Sequence, residues 1–255
     1  MKYTEKLILN GDEHNFWTGQ NPITKLMLNW EEYQIREFQQ WWWQPWANTL
    51  LYLPLNSTDT YTDKSWNNVS TTNYNVAFWT YQWVDCWEFN TSTRITVTPF
   101  SIDFSKYTMA VWCYCTAAQW DAKILDMRDN INFTFVYWNG EWYAYTWIYD
   151  SGWQQVNFNP NWQYMNQRVL VCSTLDNWNM NFYLKGNGLD LSANMSAQLN
   201  STITPNYITI WQEYNNGAAR HYSWWLSELI LENKVRTAQE IEDYYNQTKA
   251  LYGIS

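Results

Sequence analysis

The feature that most narrows the fold of this chain is a rhythm. From residue 50 onward, short runs of apolar or alternating residues follow one another, separated by clusters of Asn, Asp, Ser and Thr. The runs cover 50–55, 84–89, 94–98, 107–115, 123–127, 130–137, 141–147, 168–173, 180–184, 207–210 and 226–231. Many short strands with turn signals between them specify an antiparallel sandwich or barrel. The run 107–115 is apolar at odd and even positions alike, so it reads as a central strand buried on both faces. One helix stands out. Thr237-Ala238-Gln239-Glu240 is a capping box, Ile241, Tyr244, Tyr245, Thr248 and Leu251 follow at helical spacing, and Gly253 supplies the stop. This helix is expected on the outside of the sandwich.

The first 40 residues have a different organisation. Lys6-Leu7-Ile8-Leu9-Asn10-Gly11-Asp12-Glu13 recurs nineteen residues later as Lys25-Leu26-Met27-Leu28-Asn29-Trp30-Glu31-Glu32. Asn-Gly between apolar runs is a hairpin signal, because a type I′ turn needs positive φ at both central residues. Tyr33 to Phe38 alternates as a returning strand. The expected organisation is a β-hairpin segment over 1–40, a linker over 41–49 and a sandwich over 50–255.

Composition excludes several classes. The net charge of −9 argues against nucleic acid or an anionic membrane as partner, since both call for basic patches. No apolar run approaches the roughly 18 residues of a membrane span, so no membrane insertion is expected. The start shows no signal-peptide pattern. Two histidines and four cysteines leave little for a His-rich metal site, a His-dependent triad or a disulfide scaffold. Cys86 and Cys172 read as small buried apolar residues. No Gly-rich phosphate loop and no G-x-S-x-G elbow occurs.

Two end motifs carry a resemblance. Leu51-Tyr52-Leu53-Pro54-Leu55-Asn56 with Thr62-Asp63-Lys64-Ser65-Trp66-Asn67-Asn68 is similar to the opening of concanavalin A-like lectin domains of the laminin-G type. Ser223-Trp224-Trp225-Leu226-Ser227-Glu228-Leu229-Ile230-Leu231-Glu232-Asn233, then Arg236-Thr237-Ala238-Gln239-Glu240-Ile241, is similar to that family's last strand and short helix. The resemblance spans roughly residues 50–253. It implies an all-β fold, a two-sheet antiparallel jelly-roll sandwich with a short C-terminal helix, preceded here by small β-hairpins. The N-terminal segment resembles those that precede such domains in phage structural and bacterial surface proteins.

The chain departs from that pattern at its tryptophans, of which it has 21 against only 8 glycines. Trp66 and Trp224 stand where the family has Gly. Trp30 stands where Gly11 stands in the internal repeat. Trp178 and Trp138 fall where tight hairpin turns are expected. Some bacteria and their phages read UGA as Gly, while other genetic codes read it as Trp. Many of these tryptophans are therefore read as glycine positions, and the codons decide the matter. Trp112, inside the buried strand, is read as genuine.

The functional expectation is a non-catalytic carbohydrate-binding or adhesion module of a phage virion or cell-surface protein. Its partner would be a glycan or a surface protein. Arg128, Tyr143 and Tyr145 are the candidate ligand contacts, since the two tyrosines share one strand face beside an Asn-Gly turn. The resemblance further implies calcium, held by Asp63 of an early loop and Glu228 of the last strand. Two alternatives accompany this reading. One is a structural or assembly domain that forms a homo-oligomer or docks into a virion through its hairpins. The other is a glycoside hydrolase of the same fold, although the Glu-x-Asp-x-x-Glu strand of such enzymes is absent. Glu240, Glu242 and Asp243 are expected on the exposed side of the terminal helix.

Overall fold

The structure, a computed structural model, describes residues 4–9, 12–17, 25–28, 31–34, 48–55, 61–89, 93–115, 120–128, 132–139, 143–150, 152–158, 166–177, 179–196, 202–210 and 224–254. The chain divides into two compact units, Met1–Gln44 and Pro45–Ser255.

The first unit is two hairpins. β1 (Thr4–Leu9) pairs with β2 (Asp12–Trp17), and β3 (Lys25–Leu28) with β4 (Glu31–Gln34). The sequence repeat is also a repeat of register: Leu9 pairs with Asp12, and Leu28 with Glu31. Each pairing leaves two residues for the connection. Those residues, including Gly11 and Trp30, lie outside the described residues, as do 35–38 of the expected returning strand and 41–47 of the expected linker.

The second unit contains β5 (Thr49–Leu53), β6 (Thr71–Tyr74), β7 (Ala77–Tyr81), β8 (Val84–Phe89), β9 (Arg94–Val97), β10 (Ile102–Asp103) and β11 (Lys106–Cys115). Then come β12 (Trp120–Arg128), β13 (Asn132–Asn139), β14 (Tyr143–Asp150), β15 (Gly152–Phe158), β16 (Arg168–Asp176) and β17 (Asn179–Gly186). β18 (Leu189–Ser196), β19 (Thr202–Ile203), β20 (Tyr207–Ile210), β21 (Trp224–Glu232) and helix α1 (Ala238–Thr248) complete it.

They form a two-sheet antiparallel sandwich. One sheet runs β18-β17-β16-β11-β21-β8-β7, with β5 also on β21; the other runs β15-β14-β13-β12-β20-β9-β6. β21 divides its outer edge between two partners, pairing through Trp224 to Leu226 with β8 and through Leu229 to Glu232 with β5. The inner faces share one core, in which Met109, Val111, Phe182 and Leu229 meet Leu125, Met127, Ile208 and Ile95.

The helix lies over the other face of the first sheet. Its capping box forms as expected: Glu240 N–H donates to Thr237 Oγ1 at 3.1 Å, and Thr237 N–H to Glu240 Oε2 at 2.8 Å. A 3-10 turn, Lys249–Tyr252, extends it, and Gly253 at φ 74° ends it in the left-handed region. Ile241, Tyr244 and Tyr245 are its buried residues. Trp112 of β11 stacks on Tyr245 at 5.8 Å and on Tyr252 at 4.4 Å. This explains why β11 is apolar on both faces: Met109 and Val111 enter the core, and Trp112 lies under the helix.

Three expectations need correction. Glu242 is not on a free face; it accepts from Lys185 Nζ at 2.5 Å, and this tethers the helix to β17. Trp138 is not in a turn. It pairs within β13, between Ala122 of β12 and Ala144 of β14, and the connection to β14 falls at 140–142. β6, β7, β15 and β18 were not expected from the apolar rhythm at all.

Candidate functional site

The seven-stranded sheet has two unlike faces. Ile95, Val97, Leu125, Met127, Ile208 and Ile210 belong to the core. Their alternates form a polar row that crosses the strands in register. Thr72 pairs with Thr96, Thr96 with Thr209, Thr209 with Asp126, and Asp126 with Thr134. The row continues from Thr134 to Trp147 and from Trp147 to Gln155. Side chains alternate across a strand, so Thr72, Thr96, Thr209 and Asp126 fall on the side opposite Ile95, Val97, Leu125 and Ile208.

Accessibility changes along the row. Thr72 is exposed, Thr96 is half-buried, and Thr209 and Asp126 are buried. Next to the open end, Tyr74 is 41% exposed, and the Arg94 guanidinium lies 4.4 Å from its ring centroid. Asp126 pairs with Lys123 at 3.6 Å, both buried.

The strand register does not bring Arg128, Tyr143 and Tyr145 together. Arg128 pairs with Tyr207, one row beyond Asp126. Tyr145 pairs with Asn157 and Tyr143 with Asn139, on the other side of the Trp147 position. Four residues of strand, about 13 Å, separate the rows of Arg128 and Tyr145. In β14 Tyr149 pairs with Asn132 and Trp153; the sequence did not single it out. Nor did it single out the threonines, which lie far apart in the chain and carry no motif.

Asp63 and Glu228 have other work. Asp63 Oδ1 accepts from the Tyr52 and Ser65 N–H groups at 2.9 Å each. Its Oδ2 accepts from Ser65 Oγ at 2.6 Å and from Val69 N–H at 2.9 Å. Asp63 thus ties its loop to β5, and Asn67 Nδ2 adds a bond to the Leu50 carbonyl at 3.0 Å. Glu228, under the helix, accepts from the Tyr244 hydroxyl and, at 2.8 Å, from that of Tyr252. Burial raises its pKa, against the lowering effect of the Tyr244, Tyr252 and Tyr52 hydroxyls. Among the described residues no group of three or more His, Cys, Asp or Glu is arranged to hold a metal ion. Cys86, Cys113 and Cys172 are free and buried.

The described residues form an all-β, two-sheet sandwich whose seven-stranded sheet carries exposed Thr72 and Tyr74 at its β6 edge. Solved structures of this architecture include botulinum neurotoxin binding domains. One, from a study showing that cell entry of botulinum neurotoxin type C depends on interaction with two ganglioside molecules, superposes with TM-score 0.63 at 15% identity over 80% of this chain and 51% of that one. The binding domain of botulinum neurotoxin DC in complex with SialylT gives TM-score 0.62 at 15% identity, over 80% of this chain and 52% of that one. The same domain in complex with rat synaptotagmin II gives 0.61 at 16%, with the same coverage. This chain spans about half the length of those chains. At such identities the likeness is one of fold. No known family's sequence profile matches the chain, and no curated protein matches it. Among the described residues no helix is long and apolar enough to cross a membrane.

Proposed function

We propose that the chain is a non-catalytic binding module for a glycan or a glycan-bearing surface partner, acting at a virion or cell surface, and that its polar seven-stranded face makes the contact. The observation that carries this reading is the open end of the threonine row, where exposed Thr72 and half-buried Thr96 stand beside Tyr74, 41% exposed with the Arg94 guanidinium over its ring. Hydroxyls match the hydrogen-bonding groups of a sugar, and exposed aromatics offer flat surfaces to its ring. In the named rows Asp126 is the one carboxylate, whereas a retaining glycosidase needs two about 5 Å apart. The neurotoxin domains, solved with or shown to depend on glycans, support the same reading by fold. Weak single contacts would be raised by multivalency. A glycan array probed with the full chain tests it: binding that Tyr74→Ala weakens supports it, and no binding to any glycan overturns it.

A second reading is assembly. Isolated two-stranded hairpins are marginal in water, which favours docking of the first unit on another chain or copy. Self-association lost on removing residues 1–44, in a chain that binds no glycan, would favour it.

The finer fold assignment is the concanavalin A/laminin-G type. It rests on the Asp63–Ser65 loop clamp and the helix that follows β21. Calcium at Asp63 and Glu228 belongs to this proposal and is tested by the metal arm described in the Discussion. The glycine reading of the tryptophans also belongs here, and Trp83 supports it. Tyr81 pairs with Val84, leaving Gln82 and Trp83 as a two-residue turn with φ 49° and 66°, and Trp83 is 98% exposed. The second position of such a turn favours Gly. UGG codons at Trp83 and Trp66 would refute the idea.

A further inference from the structure

The outer face of the eight-stranded sheet holds a buried cation for which the described residues supply no carboxylate. Arg168, at the start of β16, is 5% exposed. Its Nη2 donates to the Tyr81 carbonyl at 2.5 Å and its Nη1 to Ser227 Oγ at 3.3 Å, and its guanidinium lies 5.7 Å from the Tyr114 ring centroid. These are neutral partners, and among the described residues no carboxylate forms an ion pair with it. Buried charges are otherwise paired, because an unpaired one loses its hydration uncompensated.

A second unsatisfied group shares the same two tyrosines. Trp225 stacks on Tyr81 at 4.1 Å and meets the edge of Tyr114 at 5.7 Å, and its buried indole N–H has no hydrogen-bond partner among the described residues. Tyr114 is the cross-strand partner of both Arg168 and Trp225, so the three stand in one row. Glu88 follows in that row on the far side of Trp225. Gln82 Nε2, at 3.5 Å from the Tyr114 hydroxyl, closes the corner from the exposed turn. The Cys86 thiol is a further neutral partner of Arg168.

We propose that this corner is an oxyanion site that takes the carboxylate of an acidic sugar, with Arg168 as the charge partner and the Trp225 indole N–H as the second donor. The stacked Tyr81 and Trp225 rings would border the sugar, beside the exposed Gln82-Trp83 turn. This rests on the glycan-binding reading but uses a different sheet face, so the two fail separately.

The test titrates the full chain with sodium glucuronate, galactose and sodium sulfate at constant ionic strength, following melting temperature and heat. Glucuronate should bind and galactose should not. Trp225→Phe keeps a stacking ring and removes the N–H, and it should weaken glucuronate about tenfold. Arg168→Gln should abolish binding. Should Arg168→Gln fail to fold, the Trp225→Phe result still decides. Glucuronate binding that Trp225→Phe leaves unchanged, or no binding, overturns the site. Sulfate binding as tightly as glucuronate overturns the sugar assignment.

Discussion

Tyr252 donates a hydrogen bond to Glu228 over 2.8 Å, and this joins the last turn of the chain to a carboxylate buried in β21. Burial raises the Glu228 pKa above 4.5. The folded state therefore holds that proton more tightly than the unfolded chain does. The group's stabilising contribution is full below pH 4.5 and is lost as pH rises through the folded value. In urea melts at several pH values, wild type should lose stability relative to Glu228→Gln as pH rises from 4.5. Parallel pH profiles would contradict it.

Trp83→Gly should stabilise the protein by about 1 kcal/mol, since Gly carries no steric penalty at positive φ. Trp112→Ala should cost about 3 to 5 kcal/mol, because it empties the site under Tyr245 and Tyr252. Thermal melts of the two variants should move in opposite directions.

Asp63→Ala should destabilise by about 2 to 3 kcal/mol, by leaving loop donors unpaired. The four donors come from the protein itself, so the loss should be the same in calcium and in EDTA. A loss confined to calcium-containing buffer would assign a metal to Asp63.

Asp126→Leu should cost about 3 to 5 kcal/mol, because it removes a buried carboxylate paired with the buried Lys123 ammonium. Adding Lys123→Met should recover most of that loss. A double-mutant cycle in denaturant checks it, and additive losses would show that the pair is not coupled.

The interior strands were legible because their residues repeat locally. Leu125 and Met127, or Val169 and Val171, announce a buried face within three residues. Of the strands that escaped notice, β7 and β18 close one sheet and β6 and β15 the other, while the two-residue β10 and β19 pair with each other. An edge strand meets solvent on more sides, so Thr71-Thr72-Asn73-Tyr74 is polar and looks like a loop. Arg128, Tyr143 and Tyr145 could be picked as polar or aromatic residues on strands. Their separation could not, because it depends on the register of β12 against β13 and β14, including a shift between Thr134 and Tyr137.

The sequence by itself determined the all-β class, the doubled hairpin of the first unit and the capped terminal helix, since each is written in neighbouring residues. Only the tertiary structure decided that Thr72, Thr96, Thr209 and Asp126 form one row, that Glu242 reaches Lys185, and that Arg168 is buried without a carboxylate. Those relationships depend on pairing between distant strands. There the shared core fixes the register, and a slip of one residue would turn every side chain to the opposite face.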